Sequence, residues 1–267
     1  MLQQRATVLW NQPAGPSVFR LGLSCPSGYA DAIPGQFVMV QTTEGMVPLL
    51  RRPFSIFGLI GDRKRPEGLE LLYRVIGSGT AHLARLKTGQ PLDVLGPLGR
   101  GFTLSAGMKQ IYLAAGGMGV APIRFLAVHL AARDIDLSAC RLFLGGRNQK
   151  ELFCRDEFAA LGMPVTLSTD DGSQGRQCLL TDPLQELVST QQPDLIAACG
   201  PHGMLVCVAG IAEKHHVACQ FSMETLMACG MGACLGCAVP ADRAQDGYRH
   251  VCTHGPVFSV GEVNIVH

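Results

Sequence analysis

Three cysteines and three glycines fall within the stretch MACGMGACLGCAVP, residues 227–240, and another cysteine follows at 252. Cys229, Cys234, Cys237 and Cys252 therefore read C-x4-C-x2-C with a distant fourth thiol, the plant-type spacing of [2Fe–2S] ligands. Two irons bridged by two sulfides need four thiolates converging from different sides. A tight loop that carries three, closed by a returning segment that carries the fourth, meets that need. Gly230, Gly232 and Gly236 let such a loop take positive φ and bring backbone N–H groups close to the sulfurs. A structural zinc site is the alternative for four thiolates. Zinc sites more often pair two short C-x2–4-C knuckles, whereas fourteen residues separate Cys237 from Cys252 here.

The rest of the composition narrows the setting for this chemistry. The 267 residues leave room for about two domains and a small appendage. With 22 basic against 21 acidic residues, and no Lys/Arg run longer than Arg51-Arg52, there is no basic stripe for nucleic acid. The N-terminal MLQQRATVLW lacks the apolar run of a signal peptide, and no window has the roughly 18–20 apolar residues of a membrane span. Eleven cysteines, an odd number in a chain long enough to pack without staples, point to a reducing, cytoplasmic compartment rather than a disulfide scaffold.

The elements that must position the thiols change style along the chain. From residue 5 to about 100, short β-rich runs (ATVLW, SVFRLGL, QFVMVQT, FSIFGLI, LELLYRVI, PLDVLG) alternate with Pro/Gly turns, as in a small antiparallel barrel. Between about 109 and 218 strand and helix alternate, with strands at QIYLAAGG, CRLFLGG, PVTLST and DLIAACG and helices over about 119–132, 150–161, 181–189 and 203–215. That order predicts a parallel sheet covered by helices. The expected division is a β-barrel over 1–104, an α/β domain over 105–218 and a metal-bearing module over 219–267.

Each of the first two domains carries a nucleotide signal. In LLRRPFSI, Arg52 can make charge-assisted bonds to a pyrophosphate, and Ser55 lies three residues on, within reach of a bound ring; a surface Arg pair before a strand is the plainer reading. VIGSGTAHLARL turns on Gly77 and Gly79 into a helix with Thr80 as the expected N-cap, a seat for pyrophosphate or an ordinary capped turn. In YLAAGGMGVAPIRFLA, Gly116, Gly117 and Gly119 permit a dinucleotide phosphate to approach a helix start, with Pro122 in its first turn. No acidic residue closes the second strand near FLGGRN, where Arg147 stands instead, so NADPH remains open beside NADH. Cys199, Gly200 and Pro201 end the fourth strand. The turns at 116–119, 145–147, 170–172 and 199–201 should line one cleft.

Taken together and in order, RRPFSI, GSGTAHLARLKTGQPLDVLGPLGRGF, AAGGMGVAPIRFLA, CGPHGM and ACGMGACLGC…VCTHGPVF resemble the electron transfer subunits of two-subunit (class 1B) dihydroorotate dehydrogenases, within the ferredoxin–NADP reductase superfamily. The likeness runs from about residue 5 to 260. It implies an FAD-binding barrel, an NAD-binding domain and a C-terminal [2Fe–2S] module. By resemblance, Arg52, Pro53, Phe54 and Ser55 match the flavin motif and Gly79 and Thr80 the FAD pyrophosphate turn. The four cysteines match the cluster ligands, and Gly116 to Gly119 match the nicotinamide-nucleotide turn less specifically. No terminal aromatic covers the flavin, as it does in plant-type reductases; the chain continues into the cluster module.

The expected order of electron carriers is NADH, FAD, cluster and then a protein partner. No side chain is expected to act as a catalytic acid, base or nucleophile. By resemblance the partner is the FMN-containing catalytic subunit that interconverts dihydroorotate and orotate in pyrimidine synthesis, in a hetero-oligomer with two of each subunit. Met231, Leu235, Val239 and Val257 form the expected apolar docking face. The alternatives are a flavin/iron–sulfur subunit of an NADPH–ferredoxin reductase or of a hydrogenase/sulfur reductase complex, and a zinc-stabilised binding protein without redox turnover.

Overall fold

The computed structural model describes all residues except 1, 26–28, 30, 44, 46, 63–64, 134, 243–245 and 266–267. Six strands, β1 (Leu2–Gly15), β2 (Val18–Ser24), β3 (Phe37–Gln41), β4 (Arg52–Asp62), β5 (Arg65–Arg74) and β6 (Pro91–Leu98), close into a barrel in the order β1-β2-β5-β4-β3-β6. All of its ladders are antiparallel. Closure leaves no edge strand exposed to pairing with another chain. Val8, Leu21, Leu23, Val38, Val40, Ile56, Leu71 and Val94 fill the interior. The single turn of helix α1 (Ser78–Leu83) bridges β5 and β6.

One ion pair within this barrel is half sealed. Glu70 on β5 is buried, and Arg20 on β2 meets it with two bonds, Nε to Oε1 at 2.6 Å and Nη2 to Oε2 at 3.0 Å. The same guanidinium lies 4.8 Å from the centre of the Phe57 ring.

The second group of elements comprises β7 (Ile111–Gly116), α2 (Val120–Ala131), β8 (Arg141–Gly146), α3 (Arg155–Ala160), β9 (Val165–Thr169), β10 (Arg176–Gln177), α4 (Thr181–Thr190), β11 (Leu195–Cys199), α5 (His202–His215) and β12 (Cys219–Ser222). The remaining elements are the short β13 (Ala238–Pro240) and β14 (Tyr248–His250), which pair with each other, α6 (Val251–His254) and β15 (Val257–Ser259). A seven-stranded sheet runs β10-β9-β8-β7-β11-β12-β15. Its pairings are parallel except at the edge, where β15 runs antiparallel to β12. Strands β7 and β11 are buried along their whole length and read as unbroken apolar runs, because helices cover both faces of a parallel sheet.

The chain divides into two compact units. The first holds Met1–Gly101 with Glu224–Ala238 and His250–Pro256; the second holds Phe102–Met223 with Val239–Arg249 and Val257–His267. The 219–267 segment, expected to stand as a module of its own, is thus shared out. Its β12 and β15 extend the parallel sheet, while both cysteine-bearing stretches belong with the barrel. Gly255 O accepts the Arg100 N–H at 2.5 Å, and a Cβ on Gly230 would lie 2.4 Å from Met39 Cγ on β3, so the cysteine loop rests on the barrel wall. No helix among the described residues is long and apolar enough to cross a membrane.

Removing Arg20 strands the buried Glu70 carboxylate without its two charge-assisted bonds. Arg20→Ala is expected to lower stability by about 1.5–3 kcal/mol, read as the change in the denaturant unfolding midpoint.

Candidate cofactor sites

The four cysteines meet in two pairs. Cys237 and Cys252 are both buried, with their sulfurs 3.2 Å apart. The backbone beside them is tied as well: Val251 N–H donates to Cys237 O at 3.0 Å and Cys252 N–H to Cys237 Sγ at 3.5 Å. Cys229 and Cys234 form the outer pair, half-buried and exposed respectively. Cys229 Sγ accepts the N–H groups of Met231 and Cys234, each at 3.4 Å, and Cys234 Sγ accepts that of Gly236 at 3.5 Å. Gly230 and Gly232 have φ of +73° and +86°, the conformation that turns these N–H groups inward.

The electrostatics follow from these contacts. Burial pushes the Cys229 thiol up, but the Met231, Cys234 and Ala233 N–H groups and the Cys234 side chain outweigh it and bring the pKa down to about 6. Burial, with Cys237 alongside, pushes Cys252 up to about 12. A coordinated metal deprotonates such thiols outright. Among the described residues no three ligating side chains converge as a single-ion site would require. Two pairs, each suited to one iron, fit the [2Fe–2S] donor set, whereas mononuclear zinc wants four donors about one point.

On the barrel, Arg51 and Arg52 divide in role. Arg51 Nη1 pairs with Asp93 of β6 at 2.5 Å. Arg52 Nη1 donates to Leu50 O at 2.6 Å, and its Nε lies 3.6 Å from the point where a Cβ on Gly79 would sit. Thr42 Oγ1 at 3.1 Å and Pro48 Cγ at 3.5 Å border the same point. A side chain at 79 would fill this cradle, which suits a phosphate approached by backbone. Pro53, Phe54 and Ser55 lie on β4 opposite Met39, Val38 and Phe37 and stay half-exposed. Thr80 is not the N-cap of α1: Gly77 occupies that position. The Thr80 hydroxyl sits one turn in, accepts the N–H groups of Ile76 at 2.9 Å and Gly77 at 3.2 Å, and so shapes the turn from inside.

Sequence reasoning missed Asn11. Its Nδ2 donates to Leu83 O at 2.7 Å, and its Oδ1 accepts the Tyr73 hydroxyl at 3.0 Å, fastening the end of α1 to β1. Strand β1 carries polar residues throughout, so nothing in the sequence marks this one out.

In the α/β unit, Gly116 ends β7, a 3-10 turn spans Gly117–Gly119, and α2 follows. Two of the three glycines are demanded by packing. A Cβ on Gly119 would come 2.1 Å from Cys199 O, and one on Gly116 would come 2.8 Å from Pro201 Cδ and Met204 Sδ. Gly117 differs: its φ is +54°, and nothing lies within 4 Å of its Cβ position, so its face is open to a ligand. Gly200 lies against Met204, while the Cys199 thiol is buried at the end of β11. Register places the strand ends together, Cys199 opposite Ala115, Gly116 opposite Gly145 and Gly146 opposite Thr169.

Arg147 is not alone at the end of β8. Its Nε donates to Glu151 Oε2 at 3.1 Å and its Nη2 reaches Glu151 Oε1, so an acidic residue stands beside it although none closes the strand itself. Glu151 escaped notice because it lies on the 3-10 turn Gln149–Glu151 rather than at the strand end. The Gln149 N–H also donates to Ser173 Oγ at 2.8 Å, tying this turn to the loop after β9.

A closed antiparallel barrel followed by a parallel nucleotide sheet is also the fold of a ferredoxin NADP+ reductase from Neisseria gonorrhoeae solved with FAD and NADP, at TM-score 0.67 and 18% identity, covering 80% of this chain and 91% of that one. The NADH-dependent reduced ferredoxin–NADP oxidoreductase studied for flavin-based electron bifurcation superposes at TM-score 0.83 with 25% identity, over 97% of this chain and 89% of that one. Residues 113–210 match the oxidoreductase NAD-binding domain. The class is therefore that of oxidoreductases with a ferredoxin reductase-like fold and an NAD-binding domain.

Residues 224–264 match the iron–sulfur cluster binding domain of dihydroorotate dehydrogenase B. The electron transfer subunit of dihydroorotate dehydrogenase B (NAD(+)) from Desulforamulus reducens is 35% identical over 97% of both chains. That from Caldanaerobacter subterraneus subsp. tengcongensis is 38% identical over 86% of both, and that from a Geobacillus species is 36% identical over 98% of this chain and 99% of its own. The chain belongs to this family of dihydroorotate dehydrogenase B electron transfer subunits.

The contact between Gly230 and Met39 sets a test of the cysteine loop. Alanine at 230 combines a left-handed backbone with a clash against a buried side chain. Gly230→Ala is expected to lower bound iron and sulfide per chain by at least about half while FAD content stays unchanged, measured on the purified protein.

Proposed function

We propose that this chain draws electrons from NADH and delivers them, by way of FAD and a [2Fe–2S] cluster, to the FMN-containing catalytic subunit of a dihydroorotate dehydrogenase, in an assembly with two of each subunit. The observation that carries the reading is the pairing of four thiols on the wall of the barrel that also bears the Gly79 cradle. FAD supplies the conversion between two-electron and one-electron transfer, and the cluster supplies one-electron carriage. Cys229, Cys234, Cys237 and Cys252 hold the irons. Arg52, Gly79 and the backbone of Thr80 hold the flavin diphosphate, with Pro53, Phe54 and Ser55 along the ring. Gly116, Gly117 and Gly119 with Cys199 and Gly200 shape the nucleotide turn. All eleven cysteines are free, which suits a reducing cytoplasm.

The docking face is narrower than expected on one side and wider on the other. Val257 is buried and Val239 half-buried, so neither offers a free apolar surface. Leu226, Met231 and Leu235 do, at 90%, 42% and 58% exposure. Leu235 also has φ of +59°, a left-handed conformation that a bulky residue rarely takes. A strained, exposed leucine between two cluster ligands serves a partner better than it serves a lone chain.

Arg147 and Glu151 bear on the nucleotide. The Glu151 hydrogen bond, followed by its charge, raises the Arg147 pKa, and Asp170 adds negative charge nearby. A 2′-phosphate would have to displace this fork and meet both carboxylates, which favours NADH.

The purified chain should show flavin and iron–sulfur absorption and reduce artificial dyes with NADH, and with the catalytic subunit added it should reduce orotate. Leu235→Glu should weaken that complex about tenfold or more and leave dye reduction intact; rapid reduction of ferredoxin without any binding to the catalytic subunit would overturn the reading. Glu151→Gln should free the Arg147 fork and raise kcat/KM for NADPH about tenfold, the scale of one charge-assisted hydrogen bond, in steady-state dye assays with each nucleotide.

A further inference from the structure

Cys252, the last of the four thiols in the chain, rides on α6, a helix of only four residues. One turn has to pay the cost of helix nucleation with no propagation to offset it, so α6 holds its shape only through ties to other groups. Besides the Cys252 N–H bond to Cys237 Sγ and a long Thr253 Oγ1 bond to His250 O, three such ties are present. At its C-terminal end Gly255 O accepts the Arg100 N–H. At its start Val251 N–H reaches Cys237 O at 3.0 Å. The third comes from inside the turn: His250 N–H donates to His254 Nδ1 at 2.9 Å.

The last bond spans the whole element. His250 is the residue before the helix and His254 its final one, so the imidazole folds back over the turn and joins its two ends across Cys252. A backbone N–H can only donate, so Nδ1 presents its lone pair and the ring proton sits on Nε2. The two imidazoles stand with centroids 5.7 Å apart. Both are half-buried, and the ring of His254 fixes where the chain enters the helix. Without that bond the entry is held by the two Cys237 contacts and the longer bond of Thr253 Oγ1 to His250 O, and the thiol that has to meet Cys237 across an iron gains freedom at its base.

We propose that His254 is the positioning residue for the fourth cluster thiolate, acting through the His250 backbone to hold Cys252 in register with Cys237. The proposal rests on the cluster reading above. Its chemistry is that of an acceptor at fixed reach: Asn places Oδ1 where the imidazole places Nδ1, whereas Gln places its acceptor one bond further out.

The test is release of the cluster from the full chain to an iron chelator, followed by visible absorption, with FAD retention and the EPR spectrum of the reduced protein recorded on the same samples. His254→Ala should lose iron about two- to tenfold faster, the scale of one net hydrogen bond, or fail to retain the cluster at all. It should keep FAD, and any cluster that remains should show altered g-anisotropy. His254→Asn should restore both rate and spectrum to near wild type, and His254→Gln should not. Wild-type behaviour of the Ala variant, or an Asn variant as labile as Ala, overturns the positioning role while leaving the cluster assignment intact. Stoichiometric zinc without iron in the wild-type protein overturns the assignment and this inference together.

Discussion

Two irons need two pairs of thiolates, and no single short loop can supply both pairs. The loop from Cys229 to Cys237 brings three sulfurs, so the fourth has to be carried back to Cys237 by a segment fifteen positions on. The rest of the C-terminal architecture answers to this requirement. The β13–β14 ribbon reverses the chain, Cys237 offers both its carbonyl and its sulfur to the returning backbone, and Gly255 is fastened to Arg100 at the end of the barrel. Because the cysteine stretches fold onto the barrel while the neighbouring strands β12 and β15 join the parallel sheet, the segment is stabilised by cores it does not itself possess. A forty-residue piece with a cluster and no core of its own could not stand otherwise.

Glycine carries a second constraint, and its meaning differs from site to site. At 116 and 119 the missing side chain lets the turn after β7 press against the end of β11, which sets the relation between adjacent strand ends. At 117 it provides a left-handed backbone over open space. At 79 it leaves a cradle bordered by Thr42, Pro48 and Arg52. A glycine-rich turn can therefore serve packing and ligand approach at once, and only neighbouring atoms tell which residue does which.

Much of this was legible in the sequence where local chemistry decides it. The six barrel strands announced themselves as short β-rich runs punctuated by Pro and Gly, and the α/β half through apolar runs followed by glycine turns. What escaped depends on partners distant in the chain. Strands β10, β12 and β15 have two to four residues, too few for any periodicity, and exist because a neighbouring strand offers its edge. The helix expected over 150–161 is shorter, since Cys154 takes a left-handed φ of +60° and separates the 3-10 turn at 149–151 from α3. Thr80 was read as a cap because threonine favours that role; its hydroxyl does satisfy the backbone there, but from the third position of the helix. Asn11 acts through bonds to Leu83 and Tyr73, far off in the chain, whereas Glu151 and His254 bond residues only four positions away, on elements too short to show any pattern.

The same division explains why the cysteines were the strongest signal and their supports the weakest. Thiol spacing is a property of the chain and survives in the bare sequence. Hydrogen bonds to sulfur are a property of the fold: Cys229 accepts two backbone N–H groups because Gly230 and Gly232 take positive φ, and the missing Cβ that permits this also lets Met39 and Thr253 lie where side chains would otherwise go. The outer thiols thus sit among backbone donors and near the surface, while the inner pair is sealed against the barrel wall. On the proposed reading, a carrier that receives electrons from within the protein and hands them to another needs both environments, one face held rigidly and one face open to a partner, and the exposed Met231 and Leu235 would supply the second without loosening the first.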